Sequence, residues 1–242
     1  MGVLLYGRGG AQTRFGPSFT PDVIKWLIGA NVAVYLVQMF GSPALTPALW
    51  MDQRFWQGEI WRAATYMWLH GGGFHLLFNM LGLWMFGSEI AAVWGTQRFL
   101  RYYLATGVGA GVVIALWQGL LHLLVGGIGG ATVGASGALY GVLLASSLLW
   151  PHRTVLLLFP PIPLRAIYMI PTFLLLDLIF MSRQVSVIGH LGGALVGLAL
   201  LARSGDAGIT ISQLQYRFRR WRMRGKLRAL DGADERRRRQ FH

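Results

Sequence analysis

The chain has 242 residues, a formal net charge of +13 and no cysteine; 54% of its residues are apolar and only 13% charged. Soluble domains usually carry about 25% charged residues, so the composition points to a polytopic helical membrane protein. The missing cysteine excludes disulfides, thiolate nucleophiles, Cys-based zinc sites and lipidated cysteines.

Residues 1–22 read as a short cytoplasmic segment. Met1 to Thr20 is Gly-rich and polar, with no apolar core or cleavage-like site, so the first apolar stretch is expected to stay as a spanning helix. Six spans are expected: residues 23–40, 74–94, 99–121, 135–150, 164–181 and 187–202. The fourth and sixth are short for a hydrocarbon core that takes ~17–25 helical residues to cross. A polar loop with Pro and Trp covers residues 41–72, and Phe159-Pro160-Pro161-Ile162-Pro163 breaks the helix before the fifth span. The expected architecture is all-α, with a six-span core at 23–203 and a basic cytoplasmic tail at 204–242. Twelve of the 22 basic residues lie from Arg203 onward. Such a tail suits anionic lipid, and no recognition motif points to nucleic acid. Arg217 to Arg228, interspersed with Phe218, Trp221 and Leu227, suits an interfacial amphipathic helix.

With the N-terminus in the cytoplasm, nineteen Lys and Arg fall on inner segments and three, Arg54, Arg62 and Arg183, on outer ones. The positive-inside rule favours that topology, with both termini cytoplasmic in a bacterial-type inner membrane. The fourth and sixth spans then both run from outside to inside. Ser136, within Gly134-Ala135-Ser136-Gly137, and His190 each lie in the first turn or so of their span, at matched shallow depth.

Two stripes of small residues bear on whether these groups can meet. The fourth span carries Gly137, Gly141 and Ala145; the sixth carries Gly189, Gly193 and Gly197. Four-residue spacing puts each set on one helix face, and such faces let spanning helices approach closely. If the stripes face each other, the Ser136 hydroxyl and the His190 imidazole come within hydrogen-bond reach, as a serine nucleophile and its base require. Taken singly, each residue also fits a packing serine or a buried histidine. His75 and Asn79 open the second span on one helix face and can donate hydrogen bonds to an oxyanion; a polar helix–helix contact would use the same pair. His70 and His75 could ligate a metal, but there is no HExxH motif, and the one intramembrane carboxylate, Asp177, is expected far from them. No cofactor or metal is expected. A transporter would more often show matched broken helices in two halves, and no such repeat is seen.

Taken together, His70-x4-His75-x3-Asn79, Gly134-x-Ser136-Gly137, His190-Leu191-Gly192-Gly193 and Trp61-Arg62 resemble the rhomboid family of intramembrane serine proteases. The resemblance implies a six-transmembrane-helix rhomboid-like bundle that cleaves single-span membrane proteins near the outer face. It implies Ser136 as nucleophile, His190 as base and no third carboxylate, with Asp177 expected deeper. By the same resemblance His75, Asn79 and the Ser136 N–H form the oxyanion hole and Tyr140 stacks on His190. Gly134 lets the backbone come close to substrate, Gly193 belongs to the His190 motif, His70 is structural, and Trp61 and Arg62 hold the first loop half-buried in the outer leaflet. One departure is acidic: the family Glu four residues before a Gly is absent, since Ala91 precedes Gly95 and Glu89 is offset by two. The alternative is a non-catalytic rhomboid-like protein that binds membrane helices.

Overall fold

The computed structural model describes residues 2–5, 16–127, 130–157, 162–180 and 187–204. The chain forms two units, Met1–Leu200 and Leu201–His242. The basic tail, its Arg217–Arg228 segment, Arg183 and residues Phe159 to Pro161 lie outside the described residues.

The fold is mostly helical: α1 (Asp22–Phe40), α2 (Gly73–Trp94), α3 (Thr96–Val125), α4 (Ser136–Leu149), α5 (Met169–Phe180) and α6 (Val187–Ser204). α1, α2, α3 and α6 are long and apolar enough to cross a membrane. α4 and α5 have 14 and 12 residues. At 1.5 Å per residue they extend only about 21 and 18 Å, less than the ~30 Å hydrocarbon core.

The fifth helix starts later than its apolar pattern suggests. Leu164 and Arg165 are in a strand, and α5 begins at Met169 after a 3₁₀ turn. Pro171 explains the start: it falls in the first turn, where a proline N–H would have no intrahelical partner, whereas a start at residue 164 would bury it mid-helix. All-α also needs correcting. β1 (Gly2–Leu5), β2 (Thr154–Leu157) and β3 (Pro163–Arg165) form a small antiparallel sheet in the order β1-β2-β3, with Leu5 opposite Thr154 and Thr154 opposite Arg165. Pro163 lies in an edge strand, where a missing N–H costs least. These strands are too short, and β1 too Gly-rich in its surroundings, for their pattern to stand out.

α4 is the centre of the fold. Eleven of its residues are buried, including Tyr140, Val142 and Leu148. A helix apolar all round belongs inside other helices. Against α3, Gly137 abuts Ala110 and Gly141 abuts Thr106, while Gly107 accommodates Met67 and Ala138. Two tyrosines hydrogen-bond across this region: Tyr66 donates to the Gly107 carbonyl at 2.8 Å and Tyr102 to the Gly141 carbonyl at 2.8 Å. Against α6, the two glycine stripes do face each other. A Cβ on Gly193 would stand 1.9 Å from the Gly137 carbonyl oxygen, and one on Gly197 3.1 Å from the Gly141 Cα.

At the other end of α2, Glu89 makes a bidentate pair with Arg153, which follows α4 in the chain. The offset glutamate therefore does hold a frame, joining α2 to the start of the sheet. Gly95, at φ +78°, makes the one-residue turn between α2 and α3.

The first loop is fastened from within. Arg62 is only 1% exposed; its guanidinium pairs with Glu59 and donates to the carbonyls of Pro47 at 2.9 Å and Trp50 at 2.7 Å. Arg62 is thus an internal staple of the loop, while Trp61 is half-exposed. Trp56 joins the loop to α3 through a 3.0 Å bond to the Ala115 carbonyl.

Candidate active site

The chain reverses at Gly134 to start α4. Gly134 has φ +127°, a conformation that side chains avoid, and its N–H bonds to the Tyr66 carbonyl at 3.0 Å. Ser136 becomes the first residue of α4, partly exposed, and its backbone N–H has no carbonyl one turn back to bond to. The positive end of the α4 dipole lies at this point.

Across the glycine contact, His190 is the fourth residue of α6 and 5% exposed. Its Nε2 lies 2.7 Å from Ser136 Oγ. Tyr140, one turn along α4 from Ser136, stacks on the His190 ring with centroids 4.2 Å apart and planes 12° from parallel.

His75 completes the cluster from α2. Its Nδ1 accepts a 3.3 Å hydrogen bond from the Gly71 N–H. In a neutral imidazole the other nitrogen then carries the proton. That Nε2 lies 2.7 Å from where a Gly134 Cβ would stand, and Ser136 Oγ lies 3.7 Å from the same point. The close approach that Gly134 permits is therefore by the Cε1–Nε2 edge of the His75 ring, next to the turn that carries Ser136. Asn79, one turn along, is buried and donates one amide hydrogen to the His75 carbonyl at 2.9 Å, leaving the second.

Asp177 is the correction. The sequence places it deeper than His190, yet its Oδ2 lies 2.6 Å from His190 Nδ1. The Tyr140 hydroxyl donates to the same oxygen. The reason is in the spacing. Asp177 is three residues from the end of α5 and His190 three from the start of α6, so two consecutive helices bring them level. An acidic residue in an apolar span, which requires a partner, was the signal available.

His70 lies at the edge of the site. The Gln38 side chain clamps its backbone, accepting from the His70 N–H at 3.0 Å and donating to its carbonyl at 3.4 Å. The His70 ring is 3% exposed and meets His75 edge-on at 5.2 Å. Burial first, and the neighbouring His75 second, depress its pKa to about 4. An unfolded histidine titrates near 6.5, so the fold holds the neutral ring. Its stabilising contribution is complete above about pH 6.5 and is lost as pH falls towards 4, by up to about 3 kcal/mol. The thermal midpoint in detergent is expected to drop across that window, and His70→Leu to flatten the drop.

The Rhomboid domain family matches residues 57–205. The chain belongs to the rhomboid family. Rhomboid protein 1, mitochondrial, of Saccharomyces cerevisiae is 37% identical over 152 residues, 59% of this chain and 40% of that protein. Rhomboid protease AarA of Providencia stuartii is 28% identical over 200 residues, 71% of this chain and 68% of that one. Rhomboid protease GluP of Bacillus subtilis is 37% identical over 87 residues, 36% of this chain and 15% of that one. This chain thus spans well under half the length of the yeast relative. The rhomboid match takes in every residue of the cluster around Ser136, and with the apolar helices it makes the chain an integral membrane protein.

Proposed function

We propose that the chain is an intramembrane serine endopeptidase in which Ser136 attacks a substrate carbonyl and His190 takes its proton. The observation that carries this reading is the 2.7 Å contact between His190 Nε2 and Ser136 Oγ, made between two apolar helices at the mouth of α4. As the Oγ–carbon bond forms, the Ser136 proton moves to Nε2 and negative charge collects on the carbonyl oxygen. The His75 Nε2–H, the second Asn79 amide hydrogen and the Ser136 backbone N–H supply donors for that oxygen. His190 then returns the proton to the leaving amine. Water, deprotonated by His190, hydrolyses the acyl-enzyme and restores Ser136.

All six helices cross the membrane in this reading, α4 and α5 incompletely. With Leu149 at the inner boundary, a helix about 21 Å long leaves Ser136 roughly 10 Å below the outer surface of a ~30 Å core. That is a depth water reaches from one side. The charge asymmetry supports cytoplasmic termini in a bacterial-type inner membrane, with the basic tail against anionic lipid. Single-span helices are the substrates, entering from lipid past exposed apolar faces, Phe74 and Phe78 on α2 and Leu175 and Leu178 on α5.

The test is cleavage of a single-span protein co-reconstituted in liposomes. One cut near the outer end of the substrate span, lost in Ser136→Ala, is expected. Binding of the span without any cut would favour a non-catalytic helix-binding protein. Asn79→Ala is expected to lower kcat by about 10²-fold with little change in KM, because the missing donor acts only on the developing oxyanion.

A further inference from the structure

The Asp177 carboxylate has no role in the chemistry above. It is 9% exposed in an apolar helix, and its only ion-pair partner among the described residues is His190. A carboxylate at that position is costly unless hydrogen-bonded. The two hydrogen bonds it accepts come from the two residues that hold the base, His190 through Nδ1 and Tyr140 through its hydroxyl, both on Oδ2.

We propose that Asp177 is a positioning residue for His190, making the working unit a line of Ser136, His190 and Asp177 with Tyr140 as its clamp. The proposal rests on the protease reading. The Nδ1 proton donated to Asp177 leaves the Nε2 lone pair facing Ser136, the tautomer a general base needs. When Nε2 takes the serine proton, the imidazolium forms beside a fixed negative charge in a site of low polarity, where such an interaction counts most. Tyr140 fixes the ring plane by stacking and the carboxylate by its hydroxyl. Without Asp177, Tyr140 would still hold the plane but not the tautomer. Asp177 does not touch substrate, so its loss acts on kcat and not on KM.

The full chain, labelled with ¹⁵N-histidine and purified in detergent, tests this with Asp177 in place. His190, assigned by comparison with His190→Ala, is expected to rest with its proton on Nδ1, giving a low-field proton resonance. A resting Nε2–H tautomer would overturn the proposal. In liposome cleavage assays Asp177→Asn and Asp177→Ala are expected to lower kcat by about 10²-fold or more while KM stays within about threefold. The Nδ1 proton signal is expected to lose its low-field position in Asp177→Ala. Wild-type kcat in a folded Asp177→Ala variant would remove Asp177 from the mechanism and leave the protease reading intact. Failure of the unmutated protein to cleave would remove the protease reading itself. If Asp177→Ala does not fold, the tautomer in the unmutated protein decides.

Discussion

Ser136→Ala and His190→Ala are each expected to lower kcat by about 10⁴-fold or more, and the double variant to fall no further. The reason is that the two act as one unit: an unactivated hydroxyl is a poor nucleophile, and a base without its hydroxyl has no proton to take. Groups that act together are strongly non-additive when removed. Ser136→Ala should cost little stability. Ser136 stands at the start of α4, one residue past its N-cap Ala135, and is partly open to solvent. His190→Ala removes a buried ring and leaves Asp177 with only Tyr140, so it is the riskier of the two; a thermal midpoint near wild type is needed before its kinetics are read. Steady-state cleavage in liposomes measures all three variants. A double variant falling by the product of the single effects would mean that the two residues act independently.

Gly193→Val is expected to lower kcat by about 10²-fold or more from a position that does not touch the reacting atoms. The Cβ would stand 1.9 Å from the Gly137 carbonyl oxygen and 2.7 Å from its carbon. Both are backbone atoms and cannot rotate aside, so α6 must move away from α4 by more than 1 Å. His190 lies three residues from Gly193 and moves with it, while Ser136 lies beside Gly137 and stays. Misplacement of a reacting group by about 1 Å costs on the order of 10²-fold, and overpacking a tight contact costs about 1–3 kcal/mol. Gly29→Ala, on α1 where an added Cβ meets nothing within 4 Å, is the control and should change neither rate nor midpoint.

Much of this arrangement was legible because membrane helices announce themselves by length and apolarity, and because small residues four apart mark close approaches. The stripes through Gly137 and Gly193 follow that rule, and the structure packs them together. Gly107 and Gly111 on α3 follow the same rule against the first loop, where Gly111 packs on Ala63 and Tyr66 and Gly107 on Met67. Asp177 is harder to place, because in two consecutive antiparallel helices it is distance from the shared end that sets which residues lie level. The sheet was out of reach. Its pairing joins Gly2–Leu5 to Thr154–Leu157, a long-range contact that no local pattern specifies. The role of Arg62 was similarly non-local, since its partners Pro47 and Trp50 are backbone carbonyls, invisible to residue type.

The central claim is that Ser136 is an activated nucleophile. A fluorophosphonate probe applied to the purified full chain, followed by peptide mass spectrometry, tests it most directly. The account predicts one adduct, on Ser136, absent in Ser136→Ala and strongly reduced in His190→Ala. Labelling that persists in Ser136→Ala, or an unmodified Ser136 in a chain that cleaves its substrate, would contradict it.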